Sequence, residues 1–183
     1  MPDDRELMMA VRNGDLDKLG VLFERHHKPL FNFFLRQSLG PDSAEDLVQD
    51  VFYKLLRHRE TYKGTSKFTT WMYKVAVNTK IDYLRKHRHQ VRETEISDSM
   101  PSGEPSPDTP VIDNDENAML MKALERLSDE KREALILKRF QHMKYEEIAE
   151  VMGCKTGTVK ARVHWALKDL AREYRKLTGG NPS

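Results

Sequence analysis

The apolar residues of this chain recur every three to four positions along most of its length, and no stretch alternates as a strand would, so the expected fold is all-α. A short segment, Arg5 to Asn13, ends at a Gly14-Asp15 break. A longer stripe then begins with Leu16, Leu19, Leu22 and Phe23 and continues through Leu30, Phe31, Phe34 and Leu35, with Pro29 expected to kink or interrupt it. Gly40-Pro41-Asp42-Ser43 separates this helix from the next, for which Ser43 is the expected N-cap. Leu47, Val48, Val51, Phe52, Leu55 and Leu56 give that helix one buried face. Asp46, Gln49 and Asp50 are left on its outer surface. The macrodipole accounts for acids in a first turn, but Asp50 lies beyond it, where a basic partner surface is the alternative explanation.

The pattern changes between Val91 and Asp113. Four prolines, Pro101, Pro105, Pro107 and Pro110, stand among serines and acids with too few apolar residues to form a core. This divides the chain into a helical body over 1–90, a flexible acidic linker over 91–116 and a second helical body over 117–183. Charge follows the same division: 16 Lys and Arg against 12 Asp and Glu (net +4), then 1 against 8 (net −7), then 14 against 9 (net +5). Two basic bodies flanking an acidic strap suit a polyanionic partner, although ordinary solvated helix faces remain the simpler reading of charge alone. No apolar run reaches the roughly 18 residues that span a bilayer. The start of the chain, with acids at Asp3, Asp4 and Glu6, is unlike a signal peptide, so a soluble cytoplasmic protein without membrane insertion is expected. Cys154 is the single cysteine, which excludes an internal disulfide or thiolate zinc cluster.

Two stretches carry candidate chemistry. From Tyr62 to Lys74, Tyr62, Phe68, Trp71 and Tyr73 interleave with Lys63, Lys67 and Lys74. Exposed bases stack on aromatic rings while cations follow phosphates, so this pattern suits single-stranded nucleic acid. Phe68 and Trp71 fit core packing better. Asn78 sits inside a helix where its propensity is poor, and two roles stand side by side: hydrogen-bonding the edge of an extruded base, or a structural hydrogen bond. Beyond it Lys80, Arg85, Lys86, Arg88 and Arg92, with His87 and His89, exceed what a helix C-terminus needs and favour a phosphate-facing role. His87 and His89 point to different sides of a helix and have no third ligand nearby, so no metal is expected.

In the second body, Ser128 caps a helix, and Gln141-His142-Met143 leads into YEEIAEVMGCKTGTVKARVHWALKDLAREY. Tyr145 to Met152 reads as a short amphipathic helix ended by a left-handed Gly153, with a longer helix following from about Lys155. This is the helix-turn-helix pattern. Val159, Val163, Ala166, Leu167, Leu170 and Tyr174 are expected to face the core. Thr156, Thr158, Lys160, Ala161, Arg162, His164 and Trp165 are left outside, a set of small and cationic residues suited to entering the major groove.

Together AEDLVQDVFYKLLR (44–57), FTTWMYKVAVNTKIDYLRK (68–86) and YEEIAEVMGCKTGTVKARVHWA (145–166) resemble, in order and spacing, a sigma factor of the extracytoplasmic-function class, a specificity subunit of bacterial RNA polymerase. The resemblance implies an initiation factor rather than an enzyme, with no cofactor and no small-molecule substrate. Asp46, Gln49 and Asp50 would dock on the coiled coil of the largest polymerase subunit, and the polymerase flap is a further expected contact. Tyr62, Gly64, Ser66, Lys67, Lys74 and Asn78 would bind the minus-ten element, and Thr158, Lys160, Ala161, Arg162, His164 and Trp165 the minus-thirty-five element. The acidic linker would run toward the active centre and RNA exit path, and an anti-sigma factor would mask these faces. His164 and Trp165 depart from the cation often found near the end of the reading face, which leaves the base preference open. An ordinary helix-turn-helix regulator would leave the aromatic and basic stretch without a purpose. A nucleic-acid enzyme would need a pocket that Asp42, Glu45, Asp46 and Asp50 do not mark.

Overall fold

The computed structural model describes residues 1–95 and 115–179, and all the regular structure among them is helical. The helices are α1 (Asp4–Arg12), α2 (Asp17–Arg36), α3 (Pro41–Arg57), α4 (Phe68–Glu95), α5 (Asp115–Glu125), α6 (Asp129–Arg139), α7 (Tyr145–Met152) and α8 (Thr156–Thr178), with a 3-10 turn at Arg59–Thr61. Of the expected acidic strap, residues 96–114 lie outside the described residues. Its edges are helical: α4 runs on to Glu95 and α5 starts at Asp115.

Local chemistry sets the helix boundaries. Asp3 and Glu6 form a reciprocal capping box, in which Glu6 N donates to Asp3 Oδ1 at 2.8 Å and Asp3 N to Glu6 Oε2 at 3.0 Å. Pro29 does not end α2, which continues unbroken to Arg36. Buried Leu22, Leu30, Phe33 and Phe34 hold the helix on both sides of the proline, and Phe33 extends the stripe read from sequence. The start of α3 also differs from the sequence reading. Gly40 is the N-cap and Pro41 the first helical residue, a position where the missing N–H costs nothing. Ser43 lies inside the first turn, and its hydroxyl shares a 2.7 Å hydrogen bond with Tyr83 of α4. In the second body Gly153 takes the expected left-handed conformation (φ 63°), which turns the chain from α7 into α8. Val159, Val163 and Ala166 face the core, whereas Leu167 is exposed.

One apolar core runs through both bodies. Its seam is formed where α4 packs along α7 and, through Lys80 and Glu133, reaches α6. Tyr73 donates from its hydroxyl to Gln141 Oε1 at 2.5 Å, and Arg36 lies 4.2 Å above the Phe140 ring. Burial pushes the Tyr73 phenol far above its ordinary range, with Arg36 partly opposing, so it acts as a neutral donor. Lys80 corrects a sequence expectation. It is buried, not phosphate-facing, and donates to Glu133 Oε2 of α6 and to Oε1 of Gln37, the C-cap of α2, the latter at 3.3 Å.

A buried ion pair adds little net stability, but removing one partner strands the other charge at a cost of about 3–5 kcal/mol. Glu133→Ala should therefore part the two bodies so that Lys80 reaches water, enlarging the radius of gyration in small-angle scattering. The double replacement Lys80→Met with Glu133→Leu should keep the compact dimensions. A compact Glu133→Ala protein would show that the pair does not govern the seam.

Candidate nucleic-acid interface

Three exposed faces carry the residues singled out from the sequence. The first is the outer surface of α3. Leu47, Val48, Val51, Phe52 and Leu55 are buried, which turns Asp46, Gln49 and Asp50 to solvent. Tyr53 joins them one turn further on and is 60% exposed. Sequence reasoning passed over Tyr53, although its place opposite the buried positions was the available signal. Beside this face, Phe23, His27, Phe31, Val48 and Gln49 help line a groove of about 420 Å3 between α2 and α3.

The second face joins the loop before α4 to the exposed side of that helix. Helix α1 holds the loop, because Arg12 Nη1 donates to the Tyr62 carbonyl at 3.0 Å. The Tyr62 hydroxyl in turn donates to the Ser66 carbonyl at 3.0 Å, closing the loop on itself, and Gly64 supplies the left-handed residue between them (φ 67°). Tyr62 is only 2% exposed and Tyr73 3%, so neither ring is open to stack on a base as their sequence pattern suggested. Both are consumed by packing, Tyr62 against Phe68 and Trp71, and Tyr73 against Phe33. Phe68 is core as expected, and Trp71 is half-buried. Lys74 and Asn78 are exposed one turn apart on α4, and the Asn78 side chain makes no hydrogen bond among the described residues. Arg85, Lys86, His87, Arg88 and His89 follow on the exposed C-terminal half. Lys67 is exposed but paired with Glu147 of α7 at 2.8 Å. Burial raises the Glu147 carboxyl, yet hydrogen bonds from Lys67 and the Lys144 backbone outweigh it and hold the group below its usual value.

The third face is the N-terminal half of α8. Thr158, Lys160, Ala161, His164 and Trp165 are exposed around the buried positions. Trp165, 52% exposed, meets the His164 ring edge-on at 5.4 Å between centroids, and the Lys168 ammonium lies 5.0 Å above its indole. Arg162 is half-buried, with Nη1 3.7 Å from Cys154 Sγ. The far half of α8 is braced on the rest of its body by Lys131–Asp169 at 2.6 Å and Arg126–Glu173 at 3.3 Å. The Lys131 hydrogen bond is the main cause holding the Asp169 carboxyl below its ordinary value. Among the described residues no three or more His, Cys, Asp or Glu side chains gather to hold a metal. No helix among them is long and apolar enough to cross a membrane.

Known proteins share this arrangement. Sigma-70 region 2 matches residues 22–90 and Sigma-70, region 4 matches residues 117–170. The chain is 30% identical over 164 residues to the RNA polymerase sigma factor YlaC of Bacillus subtilis, covering 87% of this chain and 94% of that one. It is 29% identical over 183 residues to the ECF RNA polymerase sigma-E factor of Haemophilus influenzae, covering 95% and 96%. Among solved structures, the sigma factor RpoE of Bartonella quintana, in complex with the anti-sigma factor NepR, superposes with a TM-score of 0.70 at 27% identity, covering 85% of this chain and 96% of that one. The chain thus belongs to the sigma-70 family as an extracytoplasmic-function sigma factor, which binds core RNA polymerase and promoter DNA and directs promoter-specific transcription initiation.

Proposed function

We propose that the three exposed faces divide the work of initiation among residues 1–90, 91–116 and 117–183, and that the protein acts in the cytoplasm by binding alone, without catalysis. Asp46, Gln49 and Asp50 on α3 dock on the coiled coil of the largest polymerase subunit. Their support is joint exposure on one face, with acids placed to meet a basic surface. Gly64, Ser66, Lys67, Lys74 and Asn78 take the minus-ten element. Tyr62 contributes by fixing the loop backbone, since its ring is buried. Thr158, Lys160, Ala161, Arg162, His164 and Trp165 enter the major groove at the minus-thirty-five element, where exposed Trp165 offers an apolar surface to a thymine methyl group. The acidic strap runs toward the polymerase interior, imitating nucleic acid by its charge. An anti-sigma factor that covers these faces is the expected regulator, in keeping with the NepR complex of the Bartonella relative.

The observation that carries this reading is Asn78, exposed on α4, its side chain without a hydrogen-bond partner among the described residues and one turn from Lys74, beside a loop that α1 holds in place. An amide placed this way is free to bond a base edge once the strands part. Asn78→Ala should lower run-off transcription with core polymerase roughly tenfold on a duplex promoter and much less on a pre-melted one, the size of one lost base contact. Equal losses on both templates would remove base capture from its role. Separately, Asp50→Lys should weaken co-purification with core polymerase at least tenfold, about 1.4 kcal/mol, while leaving the thermal midpoint unchanged. Unaltered association would relocate the docking face.

A further inference from the structure

A pocket of about 380 Å3 opens between the start of α1 and the loop leading into α4. Gly64, Thr65, Ser66, Lys67, Phe68 and Thr69 form one wall, and Asp3, Asp4 and Arg5 the other. Its volume falls at the lower end of ligand-sized cavities, roughly 300–1,000 Å3. The wall from α1 lies outside residues 22–90, the part matched to Sigma-70 region 2.

The polar groups of that wall differ in how far they are committed. Asp4 is fully engaged, with Oδ1 accepting from Arg25 Nη1 at 2.8 Å and Oδ2 2.7 Å from His26 Nε2. Asp3 accepts from Glu6 N through Oδ1. The Arg5 side chain makes no hydrogen bond or ion pair among the described residues. Its guanidinium lies along the loop backbone, so close that a Cβ on Gly64 would stand 3.3 Å from Nε and 3.8 Å from Nη2. The bond from Arg12 to the Tyr62 carbonyl fixes α1 to the same loop, so the backbone that carries Arg5 is held at the pocket wall.

We propose that Arg5 is a base-selecting residue of the minus-ten pocket, its guanidinium donating two hydrogen bonds to an extruded guanine or cytosine. This rests on the reading of the loop as the base-capturing part of the protein. Asp3 and Asp4 line the pocket together with Arg5 and Lys67, but Asp4 is paired with Arg25 and Lys67 with Glu147, so the donor geometry of Arg5 chooses the ligand. The arginine fork matches a pair of adjacent acceptors, which guanine presents as O6 and N7, and cytosine as O2 and N3. Adenine and thymine place a donor or a methyl group beside each acceptor that the fork would reach, and so satisfy only half of it.

The test uses holoenzyme assembled from core polymerase and the full chain, with fork templates carrying each of the four bases at every unpaired minus-ten position. Wild type should favour guanine or cytosine over adenine and thymine at one position. Arg5→Ala should erase that preference, a change of roughly tenfold, while affinity for the adenine and thymine templates stays within about twofold. Arg5→Lys, which keeps the charge but not the fork, should lose the preference as well. The variants should melt like wild type, because the side chain holds no structural bond. A uniform loss over all four bases would make Arg5 a phosphate contact, and an undiminished preference would exclude it from the pocket, so either result overturns the proposal. If wild type shows no base preference at any unpaired position, and Asn78→Ala and Ser66→Ala also change nothing, the loop reading itself fails and the proposal falls with it.

Discussion

The packing of α4 against the C-terminal body governs how every functional face is presented. At its centre is the Lys80 ammonium, removed from water and neutralised by Glu133 of α6 with help from Gln37 at the C-cap of α2. Such a contact is intolerant of partial disruption, since an unpaired charge at this depth is far costlier than either a complete pair or an apolar replacement. The Tyr73–Gln141 hydrogen bond and the Arg36–Phe140 contact extend the same boundary. The seam is thereby poised between being wholly made and wholly broken, unlike an apolar interface that loosens by degrees.

The proposed reading surfaces depend on supports that lie behind them. The loop before α4 keeps its shape because Tyr62 is buried and bonds Ser66, and because α1 holds the Tyr62 carbonyl. The reading half of α8 projects from a half braced by Asp169 and Glu173. Side chains that meet DNA can therefore remain exposed without the backbone beneath them yielding.

Much of this was legible in the sequence where periodicity and turn chemistry act locally. The helices followed from apolar spacing, and Gly153 from the need for a left-handed residue between two short-linked helices. Long-range partners were not legible. Lys80 lies in a run of cations, and only the fold brings Glu133, 53 positions away, against it. Tyr62 and Tyr73 had the composition of a stacking platform, but composition cannot distinguish a ring that faces solvent from one that fills a core. Ser43 had the identity of a cap, yet Pro41 offered a better first turn and left the serine to bond Tyr83. For Asn78 sequence left two roles open, and only the fold shows that its side chain is exposed and without a hydrogen-bond partner among the described residues.

The closed seam also sets a length problem. Elements centred roughly 25 base pairs apart lie about 85 Å from one another along straight duplex, at about 3.4 Å per pair. Helix α4, with 28 residues, is about 42 Å long at 1.5 Å per residue and is the longest helix described. Bodies held side by side along it cannot reach both elements at once. Whatever free energy closes the seam is therefore deducted from two-site promoter binding. By linkage, a surface that holds the bodies apart strengthens DNA binding as much as DNA strengthens attachment to that surface.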